Sequence, residues 1–158
     1  MFIIDIEASG LEDESYPIEI AWCRLDETEF YAALINPETA GDWDHWDSFS
    51  ETAIHGLSRK QCREEGKSVV TVARDVGKLL EEAPVFSDAH WQDQVWLDRL
   101  FDAVGKQPPA KLIALDQAVL IEQRFHLAAR LALQSRPHRA LADCQLLARI
   151  VREVRSGA

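Results

Sequence analysis

The 158-residue sequence has no apolar run near the roughly 18 residues a membrane-crossing helix needs, and Met1 leads into a strand-like segment, with no basic region and signal core. The expectation is a soluble cytoplasmic protein with no membrane partner. Its three cysteines, Cys23, Cys62 and Cys144, are widely spaced and form no CxxC pair, which excludes a disulfide framework and a zinc knuckle and leaves reduced thiols. Positive charge is also scarce: 17 Lys and Arg face 27 Asp and Glu, a net charge of -10. That balance argues against sequence-independent binding along long nucleic acid, which rests on many cationic contacts to phosphates. An anionic substrate is still admissible, since divalent ions held by the acids would make the site locally attractive. There is no internal repeat, low-complexity tract or linker, so residues 1–158 read as one domain.

Apolar alternation predicts strands over 1–7, 18–25 and 29–35, the last two joined by a turn at Asp26-Glu27-Thr28, giving a three-stranded antiparallel start. The polar stretch GDWDHWDSFS, residues 41–50, has no clear period and is expected to run over the surface. Val69, Val72, Val76, Leu79 and Leu80 predict a helix between Ser68 and Glu82, closed by Pro84. APVFSD then supplies a short strand, Trp96 to Val104 marks a second helix, and LIAL, residues 112–115, fits a fifth strand. The remainder predicts helices over about 116–134 and 138–154, broken at Arg136-Pro137. Strands first, then strands alternating with helices, point to a mixed sheet with helices packed on its faces.

The opening FIIDIEASGL places Asp5 and Glu7 one residue apart in an apolar strand. A strand turns alternate residues to one face, so the two carboxylates sit about 7 Å apart and repel unless a cation lies between them. A DxE pair alone is more often solvated strand surface than chemistry. It gains weight from Asp93 near the start of one predicted helix and from His138 and Asp143 at the start of the last.

These residues, in this order and spacing, resemble the DEDD-type 3′-to-5′ exonucleases that carry a histidine, the DEDDh group of DnaQ-like proofreading exonucleases, oligoribonuclease and RNase T. The likeness covers nearly the whole chain. FIIDIEASGL resembles the first motif, PIEIAW the second strand, INP and AIHGLS the segment after the third, SDAHWQDQVWL the second motif and PHRALADCQLL the HxxxxD third motif. The resemblance implies an RNase H-like mixed five-stranded sheet, three antiparallel strands then two parallel, flanked by helices. It also implies that Asp5, Glu7, Asp93 and Asp143 hold two Mg²⁺ or Mn²⁺ ions and that His138 is the general base. An all-carboxylate donor set suits such hard ions better than zinc. Asp88 and Asp98 flank the second motif, but Asp93 alone stands at the motif's distance before Trp96-Leu97.

The expected activity is metal-dependent hydrolysis of phosphodiesters from the 3′ end of single-stranded nucleic acid or short oligonucleotides, releasing nucleoside 5′-monophosphates. Ala8, Ser9, Gly10 and Leu11 match the segment that receives the strand end in the family, and His55 matches its histidine near the terminal phosphate. Trp91, beside Asp93, is the best placed of Trp43, Trp46 and Trp91 to stack on a base, whereas Trp22 and Trp96 are assigned to the core. Arg124, Arg130, Arg136 and Arg139 cluster late in the chain, as phosphate guides or, more simply, as a solvated face. RNA or DNA preference is left open, and so is assembly as a monomer or homodimer. Two rivals stand beside this reading: a catalytically idle nucleic-acid-binding or adaptor module of the same fold, and a nucleophilic hydrolase built on Cys144 and His138.

Overall fold

A computed structural model describes residues 1–157. Five strands, β1 (Phe2–Ala8), β2 (Pro17–Arg24), β3 (Phe30–Leu34), β4 (Val85–Ser87) and β5 (Ile113–Ala114), form one sheet in the order β3-β2-β1-β4-β5. The first three pair antiparallel; β4 runs parallel to β1 and β5 parallel to β4. Five helices flank it: α1 (Arg59–Glu65), α2 (Val69–Glu82), α3 (His90–Asp102), α4 (Arg124–Ala132) and α5 (Ala140–Ser156). This is the mixed sheet the sequence predicts, and β1 is its central strand.

Period two sorts β1 between two cores. Ile4, Ile6 and Ala8 pack with Val72, Val76, Leu97 and Leu100 of α2 and α3, while Ile3 packs with Ala21, Cys23 and the α5 residues Cys144, Leu147 and Val151. Asp5 and Glu7 share the parity of Ile3, so they face the α5 side. The register sets Asp5 against Ala21 and Glu7 against Glu19, with a shift at Glu7/Ala8 that ends regular pairing just past the carboxylates. All three cysteines are free and buried.

The helices start where their caps direct. Ser58 Oγ accepts the Gln61 N–H at 3.1 Å to open α1, and Ser68 Oγ accepts the Thr71 N–H at 3.3 Å to open α2. The α1 helix is too short and polar to show a period, and apolar patterning passes over it. The long helix expected over 116–134 is instead two 3-10 turns, Leu115–Ala118 and Ile121–Gln123, followed by α4. Leu120, between the turns, and Ile121, opening the second, are exposed, so their apolar character mimics a helix period without supplying a buried face. The loop over 41–50 is likewise not all surface. Trp43 is only 3% exposed and stacks on Tyr16 with ring centroids 4.9 Å apart, while Arg59 donates to the carbonyls of Trp43 (3.0 Å) and Asp44 (2.8 Å). Trp96 is buried as expected; Trp22 is partly buried, stacked against Tyr31.

Gly66 closes α1 against the end of β3. A Cβ there would lie 2.2 Å from the Cys62 carbonyl oxygen and 2.5 Å from the Asn36 nitrogen, both backbone atoms. Neither can yield without moving an element, so Gly66→Ala should cost about 1 to 3 kcal/mol of stability, read from urea denaturation.

Candidate active site

At the end of β1 nearest Ala8, and the start of α5, Asp5, Glu7 and Asp143 each direct a carboxylate oxygen into one group, all within 4.8 Å of one another. Two come from the strand face and one from the first turn of α5, where it also helps to cap the helix: Asp143 Oδ2 accepts the Arg139 N–H at 3.1 Å. Asp93, in the first turn of α3, is buried and accepts a hydrogen bond from Ser87 Oγ at the end of β4. It lies outside that group, yet its charge is the strongest of the neighbouring charges acting on Asp5.

Burial is the first cause of the shifts at Asp5, Glu7 and Asp93, and repulsion from neighbouring acids adds to it. The Asp5 carboxyl is raised well above its ordinary value by burial and then by Asp93, Glu7 and Asp143. Glu7 is raised to about 7 by burial, then by Asp143 and Glu19; Asp93 is raised to about 7 by burial, against the opposing Ser87 hydrogen bond. The oxygen-only donor set therefore fits a hard divalent cation: positive charge among these groups relieves the repulsion that now favours protonation.

The three acids of the second motif separate cleanly. Asp98 pairs with Lys111 Nζ at 3.1 Å, away from the cluster, and Asp88 pairs with Arg136. Only Asp93 is buried toward Asp5.

Patterning alone passes over one acid. Glu19, buried on β2 opposite Glu7, accepts from Arg139 Nη2 (2.8 Å) and Nε (3.1 Å) and from the Ala140 N–H (3.0 Å). It thereby fixes the first turn of α5, which carries Asp143. The signal for it was present as a lone carboxylate inside the apolar PIEIAW, but its partner lies 120 residues away.

The other predicted residues are placed as follows. His138 is exposed in a left-handed conformation, φ 52°, immediately before α5, and its ring makes no hydrogen bond among the described residues. Ala8 packs in the core, and Ser9 is buried: its N–H donates to the Tyr16 carbonyl, its carbonyl accepts the Asp47 N–H and its hydroxyl oxygen accepts the Tyr16 N–H. Gly10 leaves no room for a side chain beside Glu12, His45 and Asp47. Leu11, 73% exposed, is the one residue of this segment whose side chain reaches solvent freely. His55 is buried; its Nδ1 accepts the Leu57 N–H at 3.0 Å, its Nε2 has no partner, and burial lowers its pKa. Trp91 is 67% exposed beside a cavity of about 360 Å³ lined also by Asp88, His90 and Arg124. Trp46 is tied to Glu51 through its Nε1 at 2.6 Å.

All four late arginines are ion-paired: Arg124 with Asp116, Arg130 with Glu153, Arg136 with Asp88 and Asp143, and Arg139 with Glu19. Cys144 is buried, its thiol donates to the Ala21 carbonyl at 3.2 Å, and burial pushes its pKa well up. That is the opposite of an activated thiolate, which disposes of the nucleophilic rival.

No protein-family model matches the chain, and no curated protein does. Solved structures match it. The zinc-bound complex of E. coli exonuclease I with single-stranded DNA superposes with a TM-score of 0.74 at 16% identity, covering 99% of this chain and 40% of that one. A second exonuclease I structure gives 0.71 at 16% identity over 99% and 41%, and an apo form gives 0.70 at 12% over 99% and 42%. The chain thus spans about two fifths of the length of the exonuclease I chains it matches. The likeness establishes the fold alone, an RNase H-like mixed sheet flanked by helices.

The raised carboxyls set a pH dependence. Folding lifts Glu7 from 4.5 to about 7 and Asp93 from 3.8 to about 7, so the folded protein keeps protons that the unfolded chain releases. The associated stability is complete below the ordinary carboxyl values and is lost as pH rises through about 7. Melting temperatures in chelator should fall across that window, and Glu7→Gln should flatten the fall; parallel profiles for the two proteins would contradict the shift.

Proposed function

We propose that the protein is a metal-dependent 3′-to-5′ exonuclease acting on single-stranded nucleic acid or short oligonucleotides and releasing nucleoside 5′-monophosphates. The reading is carried by one observation: carboxylates from β1 and α5, far apart in sequence, place oxygens within 4.8 Å of one another in a partly buried cluster. Such a cluster is costly as structure and useful as a cation site.

In this reading Asp5, Glu7 and Asp143 hold divalent cations with Asp93 behind them, two Mg²⁺ or Mn²⁺ being the expected complement. When bound, the ions neutralise charge on the scissile phosphate and make water a better nucleophile. The chain supplies the remaining parts. His138 turns its imidazole inward to take the water's proton, acting as general base. Leu11 and Trp91, both exposed, offer apolar surfaces to the terminal bases, and the unpartnered Nε2 of His55 offers a buried donor near the strand end. The exonuclease I structures that share the fold include complexes with single-stranded oligonucleotides, which supports an unpaired strand as substrate.

In the second reading, an idle binding module, His138 stays exposed and Arg136 stays on Asp143. Oligonucleotides labelled at the 3′ or 5′ end, as DNA and RNA, single- and double-stranded, separate the two when incubated with Mn²⁺. The exonuclease reading requires stepwise loss from the 3′ end, eliminated by Asp5→Ala. His138→Ala should slow cleavage by about 10² to 10⁴ while leaving Mn²⁺ binding intact. Binding without cleavage in the wild type would leave the idle module.

A further inference from the structure

The turn between α4 and α5 delivers a guanidinium to the acids. Arg136 Nη1 donates to Asp143 Oδ1 at 3.0 Å, and its Nη2 is paired with Asp88 Oδ2 just beyond β4. The other Asp143 oxygen is taken by the Arg139 N–H, so Arg136 covers the oxygen that this helix cap leaves over. Its positive charge also reaches Asp5 and Glu7, opposing the effect of burial on both. A cation tethered to the chain thus stands among the same acids that the proposed function assigns to metal.

Two features distinguish this pair from an ordinary surface ion pair. One fork joins two carboxylates from different elements, so release of one need not leave the guanidinium unpaired. The neighbouring contact is separate: Arg139 is held by Glu19, which fixes the start of α5 whatever Arg136 does. Movement would therefore be confined to Arg136, Pro137 and His138, the last already in the left-handed region at φ 52°.

We infer that Arg136 is a tethered competitor for the metal, holding Asp143 while the site lacks a cation and transferring wholly to Asp88 when one binds. The inference rests on the metal-site reading above. Asp88 is then a positioning residue: it is the partner that receives Arg136, and it keeps the turn carrying His138 beside the acids after the transfer. Both substitutions at this ion pair should change metal affinity, in opposite directions. Loss of Arg136 frees Asp143, whereas loss of the charge on Asp88 leaves Arg136 nothing but Asp143 to pair with.

The test is titration of the full chain with Mn²⁺ alone, without nucleic acid, by calorimetry, with melting curves in chelator to confirm folding. If Arg136 occupies Asp143 in about nine molecules of ten, Arg136→Gln should bind Mn²⁺ about tenfold more tightly than wild type, since apparent affinity scales with the competent fraction. Asp88→Asn should bind Mn²⁺ more weakly than wild type. Arg136→Lys, which keeps the charge but cannot span both acids, should also bind more tightly, and it stands alone for this position should Arg136→Gln fail to melt cooperatively. Tighter binding by both Arg136→Gln and Arg136→Lys together with weaker binding by Asp88→Asn supports the competitor; any other combination overturns it, because loss of a nearby charge by itself gives Arg136→Gln and Asp88→Asn opposite signs but leaves Arg136→Lys at wild-type affinity. A wild type that binds no Mn²⁺ removes the metal-site reading and the competitor with it, whereas a binding wild type with unresponsive variants removes the competitor alone.

Discussion

The structure is organised around carboxylates drawn out of water beside one another at one end of the central strand. Asp5, Glu7, Asp93 and Asp143 cannot all be ionised there without opposing charge, and burial has already moved three of them toward protonation. The chain responds with arginines: Arg139 on Glu19, Arg136 on Asp143 and Asp88. Ion pairs with a buried acid, such as Arg139 on Glu19 and Arg136 on Asp143, add little net stability, yet breaking one strands a charge. Their effect is positional. They fix where the first turn of α5 sits over β1 and β2, and hence where Asp143 meets the strand acids.

That positional demand explains the division of the sheet. The face toward α2 and α3 is apolar at its centre, carrying Ile4, Ile6, Ile18 and Ile20. The opposite face begins apolar at Ile3, Ala21 and Cys23, under α5, and turns acidic toward Asp5, Glu7 and Glu19. Apolar burial of Leu147, Ala148, Val151 and Val154 anchors the far end of α5 and lets its near end carry charge. The folding energy and the chemistry thus occupy different lengths of the same strands.

Much of this was legible. β1, β2, α2 and the start of α5 follow from period and punctuation, and Asp5, Glu7, Asp93 and Asp143 stand out in the sequence as one set, of which the fold brings Asp5, Glu7 and Asp143 within 4.8 Å of one another. What escaped depends on partners distant in sequence. Glu19 means nothing until β2 pairs with β1 in the register that faces it to Glu7, and until Arg139 folds back over it. Trp43 reads as a loop residue until Tyr16 stacks beneath it. The α1 helix is set by the Ser58 cap and by the close approach of Gly66 to Asn36, neither of which a hydropathy period detects. The supposed long helix after Asp116 failed for the converse reason: Leu120 and Ile121 are apolar but face solvent, so period without burial did not make a helix.

The same pairing accounts for how so acidic a chain could receive a phosphate. With a net charge of -10 and all four late arginines engaged by acids, no free guanidinium from that group faces an incoming strand. Under the proposed function, attraction must come from cations that the carboxylates collect, so the metal-free protein should repel its substrate. Screening by salt weakens a repulsion of this kind and leaves ions bound between buried acids largely unaffected. Substrate capture and metal loading then become one event, and the acidity that at first argued against nucleic acid becomes a means of keeping the unloaded site empty of it.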